Sequence, residues 1–230
     1  MSRSRAARIA PRKRPKQVRS ERLVAAILEA AVRVLEREGA AAFTTVRVAE
    51  RAGVSVGSLY QYFPNKESIL FRLQQEEWAA TARLLDGILG DARRDAAERL
   101  RAAMIAFFRT EFDEGPLRRA LGDAAPLYRD APEAREHSRR GLPVLRSLVA
   151  AVAPKLNGRR RSQAVQLYVT LLSAIGKHVS ETARARAEVD RWAGVTADMF
   201  LAYLRGGEGL SRGNAGSVEA RDVGQVFRSA

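Results

Sequence analysis

The 230-residue sequence contains no cysteine and only two histidines, His137 and His178. The first absence excludes disulfides, thiol catalysis and cysteine-ligated zinc. The second leaves acid–base or metal chemistry almost without its usual side chain. A metal site drawn from Glu133, Glu136 and His137 would need carboxylates that a charged helix ordinarily keeps in water. Strand patterns are missing too, so no Gly-rich phosphate loop follows a strand; Gly206 and Gly207 belong to a polar tail. No apolar run approaches the roughly 18 residues of a membrane span. Acids are absent from residues 1–20, where Arg3, Arg5, Arg8, Arg12, Lys13, Arg14, Lys16 and Arg19 stand. No apolar stretch follows this basic run, so it is not a secretory signal. These absences assign no catalytic residue, no metal ligand and no cofactor. They lead to the expectation of a soluble, cytoplasmic, non-enzymatic protein.

What is present is basic charge and helical periodicity. The formal net charge is +14, and it is unevenly spread. Residues 1–19 are expected to be a disordered basic arm, one that also suits phosphate or a minor groove.

The most informative stretch is TTVRVAERAGVSVGSLYQYFPNKESIL, Thr44 to Leu70. Its spacing predicts two short helices joined by a tight turn. Ala49 is small enough for a close helix crossing. Gly53, four residues on, stands where the first helix must end and accepts a left-handed backbone. Val54 and Leu59 supply the apolar contacts of the second helix. Small, glycine and apolar at these offsets is the spacing of a DNA-binding helix-turn-helix. The second helix carries mostly short or polar side chains, Ser55, Gly57, Ser58 and Gln61, as close approach to base edges requires.

Taken together, Thr44-Thr45, Ala49, Ala52-Gly53-Val54-Ser55, Gly57, Leu59-Tyr60, Tyr62-Phe63, Lys66-Glu67 and Leu70 resemble the tetracycline-repressor (TetR) family of transcription regulators. The specific likeness spans about residues 20 to 73. It implies a phosphate contact from Thr44 or Thr45, and recognition contacts from Ser55, Val56, Gly57, Ser58, Tyr60, Gln61 and Tyr62. Gln61 is the candidate for direct base reading, because an amide pairs bidentately with adenine. Tyr60 suits a phosphate with its hydroxyl. Lys66 opens the next helix, where charge and backbone donors favour phosphate together. Val56 departs from a polar reader. Arg47 and Arg51 have two open readings, DNA contact or a solvated face.

Outside the motif the chain reads as helices. One runs from about Val18 to Glu38, with Leu23, Ile27, Ala30, Ala31, Val34 and Leu35 on one face and Gly39 closing it. A long helix covers Lys66 to Leu89 after Asn65 as N-cap. Further helices are expected from about Arg94 to Phe112, once between Pro116 and Ala131, and from Pro132 to Leu156 with a bend near Gly141 and Pro143. The last two span Arg160 to Arg186, with Val165, Tyr168, Leu172, Ile175 and Val179 on one stripe, and Glu188 to Leu204, with Trp192, Val195, Met199, Phe200 and Tyr203. Two readings of these stripes stand: an intermolecular four-helix bundle, which the resemblance favours, or closure of the monomer core. Gly176 invites a close helix approach.

The expected fold class is all-α. A three-helix helix-turn-helix domain occupies residues 20–66, a helical ligand-binding and dimerisation domain 67–205, and a disordered tail 206–230. The expected partners are double-stranded operator DNA, a second copy through helices 160–186 and 188–204, and a small-molecule effector. Trp78, Met104, Phe107, Phe108, Phe112, Tyr128 and Tyr168 are the candidate lining of an apolar effector cavity, with His137 and Lys177 as polar additions. The expected action is repression released by a small apolar or aromatic ligand. Alternatives are a regulator without an effector and a protein that coats DNA without specificity.

Overall fold

The computed structural model describes residues 18–124 and 141–207, all of them in helices or the turns between helices. The basic arm before residue 18, Tyr128, His137 and the tail beyond residue 207 lie outside the described residues. The helices are α1 Val18–Ala42, α2 Thr45–Ala52, α3 Val56–Tyr60, α4 Lys66–Leu89, α5 Ala96–Asp113, α6 Gly115–Ala124, α7 Leu142–Val152, α8 Gly158–Thr170, α9 Gly176–Thr182 and α10 Arg186–Gly207. Among the described residues, no helix is long and apolar enough to cross a membrane.

The chain forms two compact units. One contains the chain up to Ala79 together with the segment from Pro116; the other contains Ala80–Gly115 and the chain from α7 onward. The first is built on the apolar face of α1. Ile27, Ala31 and Leu35 are fully buried there, with Ala30 and Val34 beside them. This i, i+3, i+4 pattern is the expected one. Phe43, Val48, Ala49, Leu59, Phe63, Ile69 and Leu70 complete the cluster, and Ala120, Leu121 and Ala124 of α6 close it. α1 runs on past the expected end at Glu38, but Gly39 interrupts it with φ 73 and ψ 172, a conformation that suits only glycine.

The second unit packs α5 against α7, α8, α9 and α10. A reciprocal capping box starts α5: the Glu98 amide donates to Asp95 Oδ1 at 2.8 Å and the Asp95 amide to Glu98 Oε2 at 3.1 Å. Asn157 caps α8 through the Arg160 amide, 2.9 Å. The Tyr168 hydroxyl donates to the Leu100 carbonyl at 2.8 Å, and burial pushes its phenol well above the usual tyrosine range. Arg109 grips Asp190 with two bonds, 2.6 and 2.9 Å, which hold the carboxyl below its usual range. Arg101–Asp198 and Arg186–Asp113 add ion pairs between α5 and α10. All three pairs are substantially exposed and contribute little stability each.

Several expected boundaries change. The helix expected at 160–186 is broken by a π-helical turn, Leu171–Ile175, and ends at Thr182. The Ser173 hydroxyl donates back to the Val169 and Thr170 carbonyls there, at 3.1 and 3.3 Å, in a turn that takes one residue more than an α-helical one. α10 starts two residues earlier than expected and continues through Gly207 rather than ceding to a tail at Gly206. The short helix expected between Pro116 and Ala131 is α6.

Candidate functional site

Local sequence builds the helix-turn-helix. Thr44, in extended conformation, is the N-cap of α2: its hydroxyl accepts from the Arg47 amide at 3.3 Å. Thr45 is the first helical residue. Gly53 terminates α2 with φ 67, its amide donating to the Glu50 carbonyl at 3.1 Å, while the Val54 amide reaches Ala49 at 3.0 Å. A left-handed glycine with these crossed bonds satisfies carbonyls that would otherwise be orphaned. Ser55 then caps α3 by accepting from the Ser58 amide at 3.1 Å. Thus three residues, Thr44, Gly53 and Ser55, set both ends of the turn.

The two sides of this motif differ sharply. Val48, Ala49 and Leu59 are fully buried. Thr44, Ser55, Gly57, Tyr60 and Gln61 are exposed, and Thr45, Ser58 and Lys66 are half-buried. The Tyr60 hydroxyl lies 3.1 Å from Thr45 Oγ1, which ties the end of α3 to the start of α2. Ser55 Oγ and Ser58 Oγ are 2.8 Å apart. Lys66 begins α4 beside Asn65, whose Oδ1 accepts from the Ser68 amide at 2.8 Å. The outer face therefore carries hydroxyls, a carboxamide, a bare glycine backbone and an ammonium group at a helix start. These groups donate to phosphate or pair with base edges.

Two residues named from sequence fall elsewhere. Tyr62 is 6% exposed and packs in the core of the unit, so its ring is structural. Val56 is half-buried against the same cluster, which accounts for an apolar residue on this helix. Arg47 pairs with Glu38 and reaches the Ala42 carbonyl at 3.3 Å, so it braces α2 against the end of α1. Arg51 is exposed. Val46, 49% exposed on α2, escaped sequence reasoning, because it lies off the buried Val48–Ala49 face and no polar chemistry marks it.

The residues expected to line an effector cavity are only partly brought together. Met104, Phe107, Phe108 and Tyr168 are buried in the core of the second unit, with Phe112 packed against it. Trp78 instead packs in the first unit, edge-on to Phe71 at 6.4 Å. Helical spacing could not separate the two because α4 supplies both units. Gly176 meets Phe107 and Phe108 of its own chain: a Cβ placed on it would stand 3.3 Å from Phe107 Cε1. The expected close approach is thus intramolecular. Lys177 is exposed. A cleft of about 440 Å³ lies elsewhere in this unit, lined by Leu142, Pro143, Arg146, Ser147, Ala150 and Arg161.

The two apolar stripes also part company. Val165, Tyr168, Leu172 and Val179 are buried in the monomer core, and so is Phe200. Trp192, Val195, Met199 and Tyr203 are exposed at 48%, 57%, 54% and 43%. Their spacing of three, four and four residues places them in one row along α10.

Comparison with known proteins agrees with this geometry. Residues 27–73 match the family model for bacterial regulatory proteins of the tetR family, and residues 95–206 match that for tetracyclin repressor-like C-terminal domains. The chain is 31% identical over 97 residues to the HTH-type transcriptional regulator BetI of Paraburkholderia xenovorans, covering 40% of this chain and 48% of that protein. It is 37% identical over 79 residues to the nucleoid occlusion factor SlmA of Vibrio atlanticus, covering 34% and 40%. The chain thus spans about half the length, or less, of these curated relatives. The fold is shared with the fatty acid degradation regulator FadR of Bacillus halodurans, at 21% identity and TM-score 0.62 over 82% of this chain and 97% of that one. It is shared also with SmeT, the repressor of the Stenotrophomonas maltophilia multidrug efflux pump SmeDEF, at 22% identity and TM-score 0.59 over 78% and 88%. With a matching helix-turn-helix at one end, a matching helical domain at the other and an all-α fold throughout the described residues, this chain belongs to the TetR family of transcriptional regulators.

Proposed function

We propose that the protein is a homodimeric repressor that occupies a two-fold DNA operator and leaves it when a small apolar or aromatic molecule binds the second unit. The observation that carries the DNA reading is the outer face of α2 and α3. Ser55, Gly57, Tyr60 and Gln61 stand exposed on a short helix whose opposite side, Leu59, is fully buried. α3 is thereby held rigidly while its outer side stays low and polar. Gln61 reads a base, Gly57 and Ser58 allow close approach, and Thr44, Tyr60 and Lys66 hold phosphates. Residues 1–19 add sequence-independent attraction.

Dimerisation through α10, with α8 and α9 beside it, is supported by the exposed row Trp192, Val195, Met199 and Tyr203. Four large apolar side chains in one row are more than a monomer surface ordinarily leaves in water. A second copy covers the row and sets two α3 helices on one DNA duplex. Repressor action is in line with SmeT, a repressor of the same fold. The apolar effector is supported by the aromatic core of the second unit, where Phe107, Phe108, Phe112 and Tyr168 meet. Ligand affinity must differ between the operator-bound and released conformations, since equal affinity shifts nothing.

Selection of bound duplexes from a random pool by the full-length protein tests this. An inverted repeat should emerge, with half-sites about one helical turn, or a small multiple of it, apart. A pool with no enriched sequence would contradict the repressor reading.

A further inference from the structure

The cleft beside α7 is built unlike the aromatic core. Leu142, Arg146 and Ala150 stand four residues apart on α7, and Pro143 and Ser147 form the adjoining row, so one helix face makes a whole wall. Arg161, from the second turn of α8, supplies the other side. The wall is apolar at Leu142, Pro143 and Ala150. Among the described residues its polar groups are two guanidinium ions and the Ser147 hydroxyl, with no carboxylate. Two positive charges with no described acid among the lining residues favour an anion.

Arg161 itself is incompletely bonded. One terminal nitrogen donates to the Leu156 carbonyl at 3.1 Å. Its Nε is buried and has no hydrogen-bond partner. A buried N–H without an acceptor carries its desolvation cost unrelieved. The guanidinium presents Nε and a terminal nitrogen as a fork that matches two carboxylate oxygens. Arg161 is half-buried at the side of the cleft, so a rotation of its side chain would be needed to turn that fork to an anion there. Arg146 is exposed and lines the same cleft from α7.

We propose that this cleft between α7 and α8 binds a small amphiphilic carboxylate, its head between Arg146 and Arg161 and its apolar tail along Leu142, Pro143 and Ala150. The volume of about 440 Å³ is in the range of sites for small organic molecules. A neutral molecule does not compensate the charge of the two guanidinium ions, so charge selects the ligand class. The site is separate from the Phe107–Tyr168 core and stands whether or not an effector enters that core.

Calorimetric titration of the full-length protein with octanoate, and with octanol as the uncharged analogue, tests the assignment without DNA. Octanoate should bind and octanol at least about tenfold more weakly, the scale of one charge-assisted hydrogen bond. Arg146→Met, at an exposed position that folding tolerates, should weaken octanoate by a similar factor, and so should Arg161→Met. Ala150→Trp, which fills the cleft without altering charge, should abolish binding. Octanoate binding that survives Arg146→Met and Ala150→Trp, equal binding of octanol, or no octanoate binding at millimolar concentration overturns the proposal.

Discussion

Arg118 of α6 and Glu77 of α4 form an ion pair at 2.6 Å with side chains only 12% and 6% exposed. Gln74 donates to the same carboxylate at 2.9 Å. The pair ties α6 into the unit that carries the helix-turn-helix, alongside the apolar contacts of Ala120, Leu121 and Ala124. Arg118→Ala leaves Glu77 charged and buried and should cost about 3–5 kcal/mol. Glu77→Gln in that background should restore much of the loss, because it removes the stranded charge. Chemical denaturation of the two variants checks this. A single-variant cost below about 1 kcal/mol would show that water or other groups solvate the carboxylate.

The π-turn and Gly176 set how closely α9 meets α5. A Cβ at Gly176 would lie 3.3 Å from Phe107 and 3.4 Å from Phe108. A branched side chain cannot be accommodated by a small shift of both rings. Gly176→Val should therefore destabilise the protein by about 1–3 kcal/mol, read as a lower thermal midpoint. Unchanged stability would mean that α9 slides freely on α5.

Caps set the helix-turn-helix, so its weak points are short side chains. Ser55→Ala removes the acceptor for the Ser58 amide and should cost about 1 kcal/mol. Gly53→Ala forces a Cβ onto a backbone at φ 67 and should cost about 1–2 kcal/mol. Hydrogen exchange should show faster opening of α3 in both. Protection equal to wild type would assign the turn's stability to the buried contacts of Leu59 alone.

The parts legible in the sequence are those determined within a few residues. Thr44, Gly53, Ser55 and Asn65 announce turns whose bonds close over three or four positions, so α2, α3 and the start of α4 follow directly. Lys66–Leu89 is helical along its expected length for the same reason. Partnership between distant segments is another matter. Nothing in Trp78 says that it packs with Phe71 rather than with Phe107. Nothing in GPLRRALGDA says that α6 joins the first unit. Tyr62 illustrates the site-level version: it stands two residues beyond the exposed Tyr60, yet the chain turns at Gln61 and carries it inward. The Val165–Val179 stripe resembled the Trp192–Tyr203 stripe in composition, and only packing separates core from surface.

That surface supports a prediction about assembly. Val195 and Met199 are more than half exposed, so charges there barely disturb the folded chain. In a dimer seam the same charges are buried without partners. Val195→Glu with Met199→Asp should leave the circular dichroism intact and weaken self-association about 100-fold or more, roughly 3 kcal/mol. Sedimentation velocity across a concentration series provides the check. Wild-type protein that remains monomeric at micromolar concentration contradicts the interface.

The most direct test of the account is a fluorescence anisotropy titration of the selected operator and of random duplex at several salt concentrations. The account predicts two chains per site and preference for the operator by about 10³-fold or more. Lys66→Ala should weaken both DNAs alike and make the salt slope shallower by about one unit. Gln61→Ala should relax preference at one position of each half-site by about 1–3 kcal/mol. Equal affinity for operator and random DNA, with a steep salt slope and no effect of Gln61→Ala, would contradict sequence reading by α3 and leave only electrostatic coating.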